Sequence, residues 1–142
     1  MTNLAMIDGA SGIKKAIWQD ETCVVPGANP SLVAEGQRLL GTEGLYVDLA
    51  EVFRALADPS RAKIVHSLLN QDLCTCDLAA IVSLSEPGVS QHLRVLRNLR
   101  VVKARRAGRR VFYSLDDAHV RELLSLSLSH LGHSAANKAP GA

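Results

Sequence analysis

Leu49, Val52, Phe53 and Leu56 fall on one face of VDLAEVFRALA, the three-and-four spacing of an amphipathic helix. The spacing returns in Ile64, Val65, Leu68 and Leu69 of DPSRAKIVHSLL and in Val89, Leu93, Leu96 and Leu99 of EPGVSQHLRVLRNLR. It returns again in Leu123, Leu124, Leu128 and Leu131 of DAHVRELLSLSLSHLGH, a last helix expected to run to about His133. Two further helices are expected, over PSLVAEGQRLL and, as a short one, over CDLAAIVSL. Asp58 and Ser85 are well placed as N-caps, and the prolines at 59 and 87 suit first turns, where a missing N–H costs nothing. From 101 to 115 the pattern changes to β-branched and aromatic residues around a glycine, which predicts a two-stranded hairpin with its tip at Ala107-Gly108.

Helix, short turn, helix and then hairpin is the order of a winged helix-turn-helix, so the fold class expected is mainly α with a small β-hairpin. Residues 1–30 lack helical periodicity and hold Gly9, Gly12, Pro26, Gly27 and Pro30; they are expected to form a flexible arm carrying Cys23. Residues 31–133 are expected to form the winged helix-turn-helix domain, and the small-residue stretch 134–142 a disordered tail.

Composition changes this picture in one place. The net charge of the 142 residues is only +2, yet Arg94, Arg97, Arg100, Lys103, Arg105, Arg106, Arg109 and Arg110 fall in one stretch, and no acid lies between Glu86 and Asp116. The basic block covers the last helix-turn-helix helix and the hairpin, which points to a polyanion. Ser90 and Gln91 lie near the N-terminal end of that helix, where base edges are met in the major groove, and His92 lies beside them. Arg94 and the hairpin arginines Arg105, Arg106, Arg109 and Arg110 can reach phosphates or a minor groove.

No run approaches the roughly 18 apolar residues of a membrane span, and the N-terminus lacks the basic start, apolar block and cleavage site of a signal peptide. A cytoplasmic protein without membrane contact is therefore expected, with reduced thiols. The odd count of three cysteines argues in the same direction. No nucleophile–base set or phosphate loop suggests an enzyme, and no small-molecule substrate is indicated.

Two groups of residues have metal chemistry. Asp117, His119, His130 and His133 are ligand types suited to zinc, cobalt or nickel. His119 and His130 are about 16 Å apart along a helix at about 1.5 Å per residue, so one copy offers two half-sites. An antiparallel partner helix would place Asp117 and His119 of one chain beside His130 and His133 of the other, with the leucines between as an apolar seam. The second group is Cys74 and Cys76, with Cys23 as a third sulfur; three thiolates favour Cd(II), Pb(II) or Zn(II). The plain alternatives are a buried small hydrophobe for either cysteine and scattered surface polar residues for the helix-end group.

At these residues the sequence resembles the ArsR/SmtB family of metal-sensing winged-helix repressors. The resemblance covers roughly residues 45–133 and rests on ALADPSRAKIVHSLL, LCTCDLA, SEPGVSQHLRVLRNLRVVKARRAGRRVFYSLDD and DAHVRELLSLSLSHLGH. It implies a homodimer, joined through N- and C-terminal helices, that binds operator DNA without metal and releases it when metal binds. By the same resemblance, Cys74 and Cys76 match a sensing site completed by the partner's N-terminal cysteine, for which Cys23 would serve. The chain has no second N-terminal cysteine, so three sulfurs are expected rather than four, with Asp20, Asp77 or water in any remaining position. Asp117, His119, His130 and His133 match the C-terminal zinc site, and Ser90, Gln91 and the arginines at 105–110 match the recognition helix and wing. A hydrogen bond from His130 to a backbone carbonyl near Arg100 is the implied coupling route. Zn(II) and Cd(II)/Pb(II) are the expected regulatory ligands, and metal efflux or sequestration genes the expected targets. The rival readings are a redox-responsive repressor using Cys74 and Cys76, and a metal-buffering protein.

Overall fold

The structure, a computed structural model, describes residues 25 and 27–133, together with the backbone at 7–8 and 12–13. Cys23, Asp20 and the expected tail lie outside these residues. The chain divides between Leu40 and Gly41 into two units. In the first, Ile7–Asp8 (β1) pairs antiparallel with Gly12–Ile13 (β2), a short ladder within the segment expected to be a flexible arm. Pro30–Leu39 (α1) follows, capped by Asn29, whose Oδ1 accepts from the Ser31 N–H at 3.1 Å.

The second unit carries the winged helix-turn-helix. Its helices are Glu43–Leu56 (α2), Pro59–Ser67 (α3), Thr75–Val82 (α4), Glu86–Asn98 (α5) and Ala118–His130 (α6). Its strands are Leu73–Cys74 (β3), Val102–Ala107 (β4) and Arg110–Leu115 (β5). α2 starts ahead of the stretch whose periodicity announced it, because Thr42 Oγ1 accepts from the Leu45 N–H and opens the helix earlier. The expected caps are present: Asp58 Oδ1 accepts from Arg61 N at 3.0 Å and Ser85 Oγ from Gly88 N at 3.2 Å.

The core is apolar throughout. Ile64, Val65, Leu68 and Leu69 of the α3 region pack with Leu78, Val82, Val89, Leu93, Leu96, Val101, Val102, Leu115 and Leu124. Three of the four apolar stripes thus point inward wholly or in part. The α2 stripe does not: only Ala55 is buried on that helix, Leu56 is partly covered, and Phe53 is 52% exposed. On α6 the stripe is split, with Leu124 buried but Leu131 half-exposed and Leu126, on the outer side, 70% exposed.

The hairpin lies where expected, with its loop one residue later. Ala107 pairs with Arg110, leaving Gly108-Arg109 as the two-residue turn, and Gly108 takes φ +62° as its first position. A positive φ there is the twist-compatible arrangement for such loops. The unexpected element is β3, a third strand on the β5 edge with Leu73 opposite Tyr113 and Cys74 opposite Phe112. Two residues are too few to leave a period in the sequence.

Two helix ends share one device. After α5, Arg100 adopts φ +57° while Val101 N–H donates to Leu96 O at 2.9 Å and Arg100 N–H to Arg97 O at 3.1 Å. After α6, Gly132 adopts φ +77° while His133 N–H donates to Leu128 O at 2.8 Å and Gly132 N–H to Ser129 O at 3.0 Å. Both are Schellman closures. The second corrects the expected end of the last helix: α6 stops at His130, so His133 is not one helical turn on from it. A third left-handed residue, Ser83 at φ 58°, makes the turn between α4 and α5. An L residue there carries a steric cost that glycine lacks. Ser83→Gly is therefore expected to raise unfolding stability by about 1 kcal/mol, read from the urea midpoint at constant slope; an unchanged midpoint would show the turn to be relaxed.

No helix among the described residues is long and apolar enough to cross a membrane.

Candidate metal centres and nucleic-acid face

α5 lies after the α4 turn with its N-terminal half turned outward. Ser90, Gln91 and Arg94 are exposed, while Val89, Leu93 and Leu96 hold the opposite face in the core. His92 is half-buried, and its charge reaches Asp58, whose carboxyl is held below its ordinary value mainly by the Arg61 N–H. His92 thus sits further back than its neighbours. Ser90 and Gln91 are the side chains of this helix best placed to meet bases.

The wing arginines divide into two pairs. Arg106 and Arg109 are exposed, and no described residue forms an ion pair with either. Arg105 is engaged within the sheet: Nη2 lies 3.4 Å from Asp72 Oδ2, and the guanidinium sits 5.4 Å from the Phe112 ring centroid. Arg110 turns back over β5 so that Nη1 lies 4.0 Å from Cys74 Sγ. Phosphate contact is thus immediately open to Arg106 and Arg109, whereas Arg105 and Arg110 must first leave their partners.

Cys74 is 3% exposed and is the N-cap residue of α4. Its thiol donates to Asp77 Oδ2 at 3.0 Å, and the same oxygen accepts from the Cys74 N–H at 3.4 Å. These bonds, with the Arg110 charge, hold the Asp77 carboxyl below its ordinary range. Cys76 is exposed on the first turn of α4. A hydrogen bond with Glu86, the first residue of α5, and that carboxylate's charge push its thiol above the usual 9.0, with Cys74 adding to the effect. Cys74 is therefore a buried small residue, whereas Cys76 is held at the surface. Neither Arg110 nor Glu86 is marked by its position in the sequence as a neighbour of the cysteines; both arrive through tertiary packing.

The thiol of Cys76 is protonated at neutral pH, so a soft cation must displace a proton to bind it. Cadmium binding is expected to release protons and to tighten as pH rises through neutrality. Titration calorimetry in buffers of different ionisation enthalpy measures this, and a buffer-independent heat would show that the thiols take no part.

At the start of α6, Asp117 caps the helix through Oδ1, which accepts from Val120 N at 2.9 Å. Its Oδ2 lies 3.7 Å from His119 Nδ1. Two donors on one tetrahedral zinc are roughly 3.3 Å apart for bonds of about 2.0–2.1 Å, so this pair fits one ion after a small side-chain rotation. His130 is exposed at the other end, and His133 lies beyond the closing turn. Among the described residues no three His, Cys, Asp or Glu side chains gather closely enough in one copy to hold an ion. The two ends of α6 stand apart, as half-sites must. One histidine absent from the sequence reading joins them: the His133 ring lies edge-on to His66 of α3, centroids 6.0 Å apart. Nothing in the local sequence around His66 marks it.

Residues 58–104, from the α3 cap to the first half of the wing, match the family described as bacterial regulatory protein, arsR family. A transcriptional repressor SmtB homolog of Synechocystis is 52% identical over 86 residues, 61% of this chain and 65% of that protein, just under two thirds of its length. A cadmium resistance transcriptional regulatory protein CadC homolog of Staphylococcus aureus is 46% identical over 85 residues, 59% of this chain and 70% of that protein. Among solved structures, HlyU from Vibrio cholerae superposes with a TM-score of 0.61 at 27% identity, covering 65% of this chain and 100% of its own. The matched segment, the order of helix-turn-helix and wing, and this level of identity place the chain in the arsR family of bacterial regulatory proteins, whose members are transcriptional regulators and not enzymes.

Proposed function

We propose that the protein is a metal-responsive transcriptional repressor, a homodimer that binds operator DNA without metal and releases it when Zn(II) or Cd(II)/Pb(II) binds. Metal efflux or sequestration genes are the targets this reading implies. The observation that carries it is the pairing of β3 with β5: the strand that bears Cys74 is part of the wing's own sheet. Similarity to a transcriptional repressor SmtB homolog and to a cadmium resistance transcriptional regulatory protein supports the same reading.

The residues divide the work as follows. Ser90, Gln91 and Arg94 on α5 meet the operator, with Arg106 and Arg109 on its phosphates. Cys74 and Cys76 hold a soft cation, with Cys23 of the partner subunit as the third sulfur. Asp117 and His119 of one protomer, with His130 and His133 of its partner, hold a borderline cation. Bound metal supplies a charge and a fixed coordination geometry that tie these groups together.

The chain's own contacts supply a route from the thiolate site to DNA. Arg110 rests on Cys74 Sγ and is attracted by Asp77. A divalent cation drawn to that sulfur and carboxylate repels the guanidinium, and Arg110 belongs to the strand that carries the wing. Metal then favours a wing position different from the one DNA selects, which is the requirement for linkage. At the other site, His130 acts through a backbone carbonyl near Arg100, just past the end of α5.

Operator binding read by fluorescence anisotropy, titrated with Zn, Cd, Pb, Co and Ni, tests the proposal. A drop in operator affinity of about 5–150-fold is expected for at least one ion. A Cys74/Cys76 double variant and a His130/His133 double variant assign that drop to its site. Equal affinity with every ion would overturn the proposal. Release by mild oxidant alone would favour the redox reading, in which Cys74 and Cys76, one residue apart, are the responsive pair.

A further inference from the structure

His66 is in the last turn of α3, and His133 follows the Schellman turn that closes α6. They are distant in sequence, yet their rings meet at 6.0 Å and 90°. Both are exposed, and no described side chain hydrogen-bonds to either ring. Their backbones are held: α3 and α6 are anchored in one core through Ile64, Val65 and Leu124, and His133 N–H is fixed to Leu128 O.

We propose that His66 and His133 of the same protomer form a bis-imidazole site for a borderline divalent cation of the zinc, cobalt or nickel class. Two imidazoles on one tetrahedral ion have ring centroids roughly 5 Å apart for metal–nitrogen bonds of about 2.0–2.1 Å. The observed spacing lies within a modest rotation of that. Two helix C-termini converge on the pair, and the partial negative charge of each favours a cation there. Neutral imidazole nitrogen is the donor that this class of ion prefers over calcium or magnesium. Water completes the shell.

The site deepens the metal-responsive reading and rests on it for its role. Unlike the shared C-terminal site, it ties α6 to α3 within one protomer. His133 belongs to both ligand sets, so an ion on His66 draws His133 away from the partner's Asp117 and His119. His66 thereby sets how readily the shared site forms.

The test uses the full chain with ¹⁵N-labelled histidine, titrated with Zn(II) alone. The ring-nitrogen resonances of His66 and His133 are expected to shift together. In competition with a chromophoric chelator, and in a His119→Gln background that disables the shared site, His66→Gln and His133→Gln are each expected to weaken one bound zinc by about tenfold or more, the scale on which even supporting groups act. The double variant should lose no more of that ion's affinity than the weaker single variant. Both side chains are exposed, so circular dichroism should show the fold retained. A His66 resonance unmoved at saturating zinc, with operator release still zinc-dependent, would overturn the bis-imidazole site and leave the repressor reading intact. A joint shift with no metal effect on operator binding would support the site and overturn the repressor reading.

Discussion

Phe53→Asp combined with Leu126→Asp is expected to convert the protein to a monomer and to weaken operator binding by about 10²–10⁴-fold, the gain that linking two binding modules provides. Both side chains are large, apolar and more than half exposed, on helices whose other faces pack in the core. Leu45, Val47 and Leu49 extend the open apolar surface on α2, and Leu131 extends it on α6. A second copy is the occupant that also explains the half-sites at the two ends of α6, since neither end alone holds three ligands. A buried carboxylate at such an interface has no partner and is strongly unfavourable. Sedimentation velocity gives the assembly state, and anisotropy on a full operator gives the affinity. A double variant that still sediments as a dimer would move the interface elsewhere; a monomer with undiminished operator affinity would remove dimerisation from the mechanism.

Arg110→Gln is the second variant with a large expected effect. Cadmium should still bind, because Cys74, Cys76 and Asp77 remain, but the roughly 5–150-fold response of operator affinity should fall towards unity. Glutamine keeps a hydrogen-bonding side chain and removes the charge that the cation repels. Loss of one positive charge from the wing would weaken apo binding through the long-range attraction to DNA, an effect separable from coupling by comparing apo and cadmium-loaded protein at each salt concentration. Arg109→Gln is the control: its side chain is exposed and has no contact with the thiol. A full cadmium response in Arg110→Gln would exclude the wing arginine as the route.

The apolar periods at 64–69, 89–96 and 123–128, the caps Asp58 and Ser85, and the switch to β-branched residues after Val101 determine the helices, the hairpin and most of the core from sequence alone. They are local patterns, and each is repeated or capped strongly enough to be read without its neighbours. The basic run from Arg94 to Arg110 is likewise visible along the chain as charge segregation, and it falls on α5 and the hairpin. Tertiary structure decided the rest. β3 is two residues long and exists only because β5 offers it an edge. The α2 stripe reads as core, but no described element of its own unit covers Phe53, a matter of packing order that no period records. Arg105 and Arg110 differ from Arg106 and Arg109 because Asp72, Phe112 and Cys74 lie across the sheet from the first pair, a pairing that no charge count records. His66 meets His133 only because Gly132 turns left-handed and ends α6 three residues early, and a backbone reversal of that kind depends on which carbonyls the folded helix leaves to be capped.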